Sequence, residues 1–136
     1  MMISTKGRYA LRFLVDIAEH QHDGFVPLKD VAVRQEISEK YLEIVVKELV
    51  KGGMLFAMRG KGGGYRLNRS PEEYSVKSII ELTEGSLSPV VCLKSGEETC
   101  IRRADCPTLP LWKGLDKVIA DYLDQFTLAD LCGGKT

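Results

Sequence analysis

The stretch Ser38-Glu39-Lys40-Tyr41-Leu42-Glu43-Ile44-Val45-Val46-Lys47-Glu48-Leu49-Val50, followed by Met54-Leu55-Phe56-Ala57-Met58-Arg59-Gly60-Lys61-Gly62-Gly63-Gly64-Tyr65-Arg66-Leu67, decides the fold. In its first half Leu42, Val45, Val46 and Leu49 recur at helical spacing and mark an inward face. Ser38 is placed to cap this helix, Glu39 suits its first turn, and Gly52-Gly53 suits its end. Lys40, Tyr41, Glu43, Ile44 and Lys47 fall on the outward side. In the second half, extended runs at 54–58 and 65–67 flank a glycine-rich turn, which predicts a β-hairpin.

Upstream, Gly24 and Pro27 punctuate the chain, and Leu28, Val31, Ala32 and Ile37 predict a short helix. Two helices joined by a tight turn, the second presenting polar residues near its start, form the helix-turn-helix pattern. The hairpin directly after it makes that pattern winged. Arg59 and Lys61 put charge at the wing tip, and glycines such as Gly60 let backbone approach another surface closely. An arginine so placed can enter a narrow minor groove of DNA. A phosphate-cradling loop is the rival for this glycine run. It fails because Lys61 is followed by Gly62, not Ser or Thr, and no helix follows.

Further upstream, residues 4–20 read as a helix with Ala10, Leu11, Leu14, Val15, Ile17 and Ala18 at helical spacing and Ser4 or Thr5 as cap. Lys6 and Arg8 sit in its first turn, where the helix dipole disfavours cations by a few tenths of a kcal/mol. A phosphate nearby would explain them, as would simple solvation.

Downstream, Ser75 can cap a helix over Val76–Glu84 that Gly85 closes. Residues 86–110 have little periodicity, and a structureless loop of that length in a small domain is usually functional or disordered. Leu111, Leu115, Val118, Ile119, Tyr122, Leu123 and Phe126 then form one apolar stripe. A long amphipathic helix here needs a partner surface, and a symmetric copy is the economical one. Thr127-Leu128-Ala129-Asp130-Leu131 begins a short terminal turn. The expected architecture is mostly α with a small β-hairpin wing: a winged helix-turn-helix domain plus a long C-terminal dimerisation helix. Its parts are residues 1–85 for the reader, 86–110 for a cysteine-containing sensor loop, 111–131 for the dimerisation helix and terminal turn, and 132–136 for a frayed tail.

That loop holds three of the chain's four cysteines, Cys92, Cys100 and Cys106, in a C-x7-C-x5-C spacing. The spacing is too wide for the C-x2-C knuckle of a zinc ribbon. Three thiolates in one loop suit a soft metal or an iron–sulfur cluster if a fourth ligand is supplied. Structural zinc and metal-free thiol oxidation are the alternatives.

The net charge of zero hides a split: residues 1–70 carry twelve Lys/Arg and eight Asp/Glu (net +4), and residues 71–136 carry seven and eleven (net −4). The basic half could face a polyanion, although an ordinary solvated surface gives a split of this size as readily. The start of the chain is no signal peptide, because Arg12 and Asp16 interrupt its apolar positions, and no run approaches the roughly 20 apolar residues of a membrane span. A cytoplasmic location is expected, where clustered cysteines are more often metal-binding or redox-active than disulfide-bonded. No C-x-x-C, nucleotide fingerprint or catalytic Ser/His/Asp set is present, and His20 and His22 read as solvated, so an enzyme is disfavoured.

The chain resembles the Rrf-two family of winged-helix repressors, the IscR, NsrR and CymR type, in its cysteine-bearing, cluster-binding branch. The matching stretches are Ile3-Ser4-Thr5-Lys6-Gly7-Arg8-Tyr9-Ala10, Tyr41-Leu42-Glu43, Arg59-Gly60-Lys61-Gly62-Gly63-Gly64-Tyr65, Ile79-Ile80-Glu81-Leu82-Thr83-Glu84-Gly85 with Ser88-Pro89-Val90, and Leu111-Trp112. The resemblance implies a homodimer on a dyad-symmetric operator in double-stranded DNA. Ser38, Lys40, Tyr41, Glu43 and Ile44 would occupy the recognition face, where Glu43 can accept from a cytosine amino group. Arg59 and Gly60 would occupy the minor-groove tip. Lys40 and Ile44 depart from the small or amide-bearing residues of the iron–sulfur regulator, which puts the operator sequence in doubt.

The resemblance also implies that Cys92, Cys100 and Cys106 hold an iron–sulfur cluster, [2Fe–2S] in preference to [4Fe–4S], whose state modulates operator binding in response to redox, NO or Fe–S and cysteine status. The first cysteine interval is two residues longer than in the best-known members. Leu109 and Arg8 stand where those members place a histidine or an aspartate as fourth ligand. Cys132, Asp105, Glu97, Glu98, His20, His22 or an exogenous ligand remain open. Another branch of the family, a cysteine-metabolism repressor, binds a partner enzyme and lacks this cysteine set.

Overall fold

Serine caps open three of the helices. The computed structural model describes residues 3–90, Leu93 and residues 105–134. Helix α1 runs Thr5–His20, α2 Leu28–Gln35 and α3 Glu39–Lys51. Strands β1 (Leu55–Met58) and β2 (Gly64–Leu67) follow, then α4 (Val76–Glu84), α5 (Leu109–Asp124) and α6 (Leu128–Leu131). Ser4, Ser38 and Ser75 each accept from the backbone N–H three residues on, at Gly7, Tyr41 and Ser78, and Thr127 does the same for α6. Each bond satisfies one of the orphan donors at a helix start and contributes about 1 kcal/mol.

The apolar stripes then fix the packing. Phe13, Leu14 and Ile17 of α1, Val31 of α2, and Leu42, Val45, Val46 and Leu49 of α3 are buried in one core. Full burial of each such side chain contributes roughly 1.5–3 kcal/mol. The turn between α2 and α3 passes through Glu36 at φ 54, a left-handed residue that closes α2 by donating its N–H to Ala32 and Val33 carbonyls. Strands β1 and β2 pair antiparallel with Leu55 opposite Leu67 and Met58 opposite Gly64. Leu55 and Leu67 anchor the hairpin in the core. Val26 exchanges both backbone hydrogen bonds with Tyr65 at 2.8 and 2.9 Å, tying the wing to the segment before α2. Gly64 makes this possible: its φ is +150, and a Cβ there would overlap the Val26 carbonyl.

Helix α4 packs with α5 through a second cluster of Val76, Ile80 and Leu87, against which Ile119, Leu123 and Phe126 lie. The far end of α5 is stitched to the start of α4, where Val76 N–H donates to the Phe126 carbonyl at 2.9 Å. The outer face of α5 has no cover among the described residues, with Val118 64% and Tyr122 58% exposed beside Leu111 and Leu115.

Three sequence expectations are corrected. Helix α5 begins at Leu109, two residues before the expected start and inside the stretch assigned to the loop. Pro110 reads as a breaker, but in a first turn its missing N–H would have no helical partner anyway. The tail is not frayed over its first residues: Cys132–Gly134 forms a 3-10 turn, with Cys132 Sγ donating to the Leu128 carbonyl at 3.4 Å and Gly133 N–H to Glu19. Tyr41, placed on the outward face, is half-buried, its ring edge-on to Tyr9 at 5.4 Å between centroids.

Candidate nucleic-acid interface and sensor segment

The first two turns of α3 present Lys40, Glu43, Ile44 and Lys47 to solvent, because Leu42, Val45 and Val46 on the opposite side are taken by the core. Ser38 is exposed, with its hydroxyl engaged by the Tyr41 N–H at 3.0 Å. Tyr41 is held from α1 through Tyr9, over which Arg12 stacks at 5.3 Å. On the wing, Arg59, Gly60 and Lys61 are exposed, and the turn closes by Gly63 N–H donating to the Gly60 carbonyl at 3.0 Å. Gly60 and Gly62 have φ of 91 and 79, so this tip needs residues without a Cβ.

Helix α3, the start of α2 and the wing flank one open cleft of about 810 Å³. Lys29, Lys47, Lys51 and Arg59 line it, against Glu39 and Glu43. Of the residues expected at the interface, the cleft brings together Glu43, Arg59 and Gly60. Lys40, Ile44 and Lys61 are exposed outside its lining. Lys6 and Arg8 lie at the start of α1. Lys6 Nζ pairs with Glu48 Oε1 of α3 at 3.1 Å, and Arg8 Nη2 donates to Thr5 Oγ1 at 3.1 Å. The Lys6 pair is about one-third exposed on each side, so it is worth at most about 1 kcal/mol.

Behind the interface, Asp16 of α1 is 1% exposed and takes four hydrogen bonds from the end of α2. Three come from Arg34, whose guanidinium is held above even its usual pKa by this partner, and one from Gln35. Gln35 in turn accepts from Arg12 at its side-chain oxygen (3.1 Å) and at its carbonyl. Arg12 and Asp16, one helical turn apart, therefore clamp the last turn of α2 immediately before Glu36. Sequence reading missed this clamp. The only signal was a carboxylate, Asp16, among apolar positions.

Of the cysteine set, Cys92 and Cys100 lie outside the described residues, as do Glu97 and Glu98. Cys106 is half-exposed three residues before α5. The Thr108 hydroxyl, 3.2 Å from its Sγ, and then the Thr108 backbone lower the thiol pKa, with Asp105 opposing. A lowered thiol pKa raises the share of thiolate, the form that binds metal or attacks an oxidant. Cys132 is at the other end of α5, a 16-residue helix of roughly 24 Å, beside the end of α1. Burial pushes its thiol pKa up, and Glu19 and Glu72 add to this. His20 is also at that end, its Nδ1 2.8 Å from the Asp16 carbonyl. Within one chain neither Cys132 nor His20 stands beside Cys106; Asp105 does. Among the described residues no three Cys, His, Asp or Glu side chains gather, and no helix is long and apolar enough to cross a membrane.

A helix-turn-helix with a hairpin wing, both facing one basic cleft, defines a winged-helix DNA-binding transcriptional regulator and not an enzyme. The chain belongs to the Rrf2 family, described as iron-dependent transcriptional regulators, whose model matches residues 3–134. It is 39% identical over 131 residues to the HTH-type transcriptional regulator IscR of Erwinia tasmaniensis, covering 96% of this chain and 78% of that one. The IscR of Aliivibrio salmonicida is likewise 39% identical, over 96% and 77%. Among solved structures, the global cysteine regulator CymR of B. subtilis superposes with a TM-score of 0.79 at 34% identity, covering 100% and 99% of the two chains. IscR of T. potens does so with a TM-score of 0.74 at 34% identity, over 96% and 85%.

Proposed function

We propose that the chain is a homodimeric repressor that reads a dyad-symmetric DNA operator under the control of an iron–sulfur cluster on Cys92, Cys100 and Cys106. The observation that carries this reading is the basic cleft shared by α3 and the wing. Glu43 within the cleft, with Ser38, Lys40, Tyr41 and Ile44 beside it on α3, would face the major groove, and Arg59, Gly60 and Lys61 would enter the minor groove. Lys6 and Arg8 supply phosphate contacts at the edge, Lys6 while it stays paired with Glu48. The stripe of Leu111, Leu115, Val118 and Tyr122, exposed among the described residues, supports a second copy as partner of α5, since an exposed stripe of this kind calls for burial. Such a regulator works in the cytoplasm.

The cluster rests on the family's iron dependence, on relatives of the IscR type and on the lowered thiol pKa of Cys106, which fits a thiolate ligand. When bound, it would supply an iron-dependent state sensitive to oxidants and NO, with [2Fe–2S] favoured. The fourth ligand is left among Asp105, Glu97, Glu98 and an exogenous group, with Cys132 and His20 at the far end of α5. A second reading, thiol oxidation without metal, is supported by the same half-exposed Cys106 with its lowered thiol pKa. Structural zinc and control by a partner protein are the remaining alternatives.

Anaerobic purification followed by a visible spectrum and iron, sulfide and zinc assays decides among them. Iron with acid-labile sulfide, lost in Cys106→Ser, supports the cluster. A colourless chain carrying zinc, or no metal at all, sinks it. For DNA, Arg59→Ala should weaken operator affinity by roughly tenfold, and undiminished affinity at physiological salt would remove the wing from the interface.

A further inference from the structure

Three consecutive residues of α4, Leu82, Thr83 and Glu84, form its last turn, and Gly85 then ends the helix in a left-handed cap at the edge of the cysteine loop. This turn touches two other helices, each at a glycine. On one side Glu84 Oε1 accepts from Ser4 N–H at 2.8 Å and Ser4 Oγ at 2.6 Å, the residue that caps α1. A Cβ added to Gly7 of α1 would stand 2.5 Å from Glu84 Oε1 and 3.3 Å from Thr83 Oγ1. Gly7 is within a helix, where glycine costs about 1 kcal/mol relative to alanine. What it provides is room for Glu84.

On the other side Leu82 lies over Gly52, the C-cap of α3. A Cβ there would come within 2.5 Å of Leu82 Cδ2 and 2.7 Å of Cδ1. Gly52 has φ −80, which any residue adopts, so close approach and not conformation accounts for it. Between these contacts, Lys6 of α1 pairs with Glu48 of α3 at 3.1 Å, and Glu48 Oε2 is buried without a hydrogen-bond partner among the described residues. Packing this close cannot deform smoothly: a small shift of the turn must break the Ser4 bonds or move Leu82 off its seat.

We propose that Glu84 and Leu82 are positioning residues that set the recognition helix α3 against α1, so that any displacement of the segment beginning at Gly85 is felt at the DNA-reading surface. This rests on the reading of α3 as the helix that enters DNA. Neither residue touches DNA. Glu84 acts through Ser4, α1 and the Lys6–Glu48 pair, and Leu82 acts directly on the end of α3.

The test is a double-mutant cycle on DNA affinity. The probe is a duplex that the wild-type chain selects from a random-sequence pool, with binding followed by fluorescence anisotropy and melting measured in parallel. Glu84→Ala and Glu48→Ala should each weaken binding by roughly fivefold, and the double variant should depart from the product of the two by a similar factor, at the low end of couplings between sites. Glu84→Gln, which keeps an acceptor oxygen for Ser4, should restore the wild-type value. Effects that multiply within about twofold, or loss of melting temperature alone, would overturn the proposal, because distant independent sites behave that way. Amide hydrogen exchange in DNA-free Glu84→Ala gives a second measure: faster exchange across residues 39–51 supports the coupling, and unchanged exchange overturns it. If the wild-type chain selects no duplex, the DNA reading falls, and the exchange result alone decides whether the turn positions α3.

Discussion

Asp16→Ala should destabilise the chain by about 2–3 kcal/mol. The carboxylate is 1% exposed and accepts from Arg34 Nε at 3.1 and 3.2 Å, Arg34 Nη2 at 2.6 Å and Gln35 Nε2 at 2.9 Å. Alanine removes every acceptor and leaves the donors in place. Removing one partner of a fully buried pair costs roughly 3–5 kcal/mol. The Arg34 side chain is 34% exposed, so water reaches part of the guanidinium and the lower figure applies. In a domain of this size each kcal/mol moves the melting temperature by roughly 3–5 °C, which gives a fall of roughly 6–15 °C. Asp16→Asn keeps one acceptor oxygen but turns an amide N–H toward existing donors, and should lose about 1–2 kcal/mol. Thermal and urea unfolding by circular dichroism measure both. A fall below about 2 °C for Asp16→Ala, with an unchanged urea m-value, would refute the reasoning. It would mean that desolvation of the carboxylate already cancels its hydrogen bonds.

Three further outcomes are expected. Val118→Glu combined with Tyr122→Glu should convert a dimer to a monomer in sedimentation equilibrium; a wild-type chain that already sediments as a monomer removes the case for α5 as an interface. Tyr74→Phe should cost about 1–2 kcal/mol in urea unfolding. The buried hydroxyl that it removes donates to the Met54 carbonyl at 2.7 Å and accepts from Asn68 N–H at 3.0 Å. Thr108→Val should raise the Cys106 thiol pKa, because the Thr108 hydroxyl is the main cause of its lowering. A raised pKa means less thiolate at pH 7, so alkylation of Cys106 by iodoacetamide, with the other cysteines replaced by serine, should slow; an unchanged rate contradicts the role of Thr108.

Local chemistry explains which parts of the fold were legible in the sequence. Ser38 and Ser75 announce α3 and α4 because a cap is a short-range device, and the inward residues of α3 follow from periodicity alone. The wing is equally local, since its glycines and flanking strands lie within 14 residues, Met54 to Leu67. The start of α5 was misplaced because Pro110 serves equally well in a loop or a first turn. Contacts across large separations were not legible. Glu84 meets Ser4 across 80 residues, Asp16 meets Arg34 across 18, and Glu19 fixes Gly133 across 114. In the candidate site, the outward residues of α3 and the wing tip could be named in advance. Their grouping could not: Lys29 and Lys51 join the cleft from α2 and the last turn of α3, and Lys6 is paired to Glu48.

Helix α4 is also the point of departure and of return for the chain's whole second half. The polypeptide leaves it at Gly85 and comes back to its start, where Val76 meets Phe126 and Tyr74, two residues before the helix, meets Leu128, each at 2.9 Å. Everything between is an excursion with both ends moored to one nine-residue helix. Residues can be gained or lost along it at little entropic cost, because closure entropy grows only with the logarithm of loop length. The reader domain therefore holds both ends of the second half whatever its length, with the last turn of α4 seated between Gly7 and Gly52.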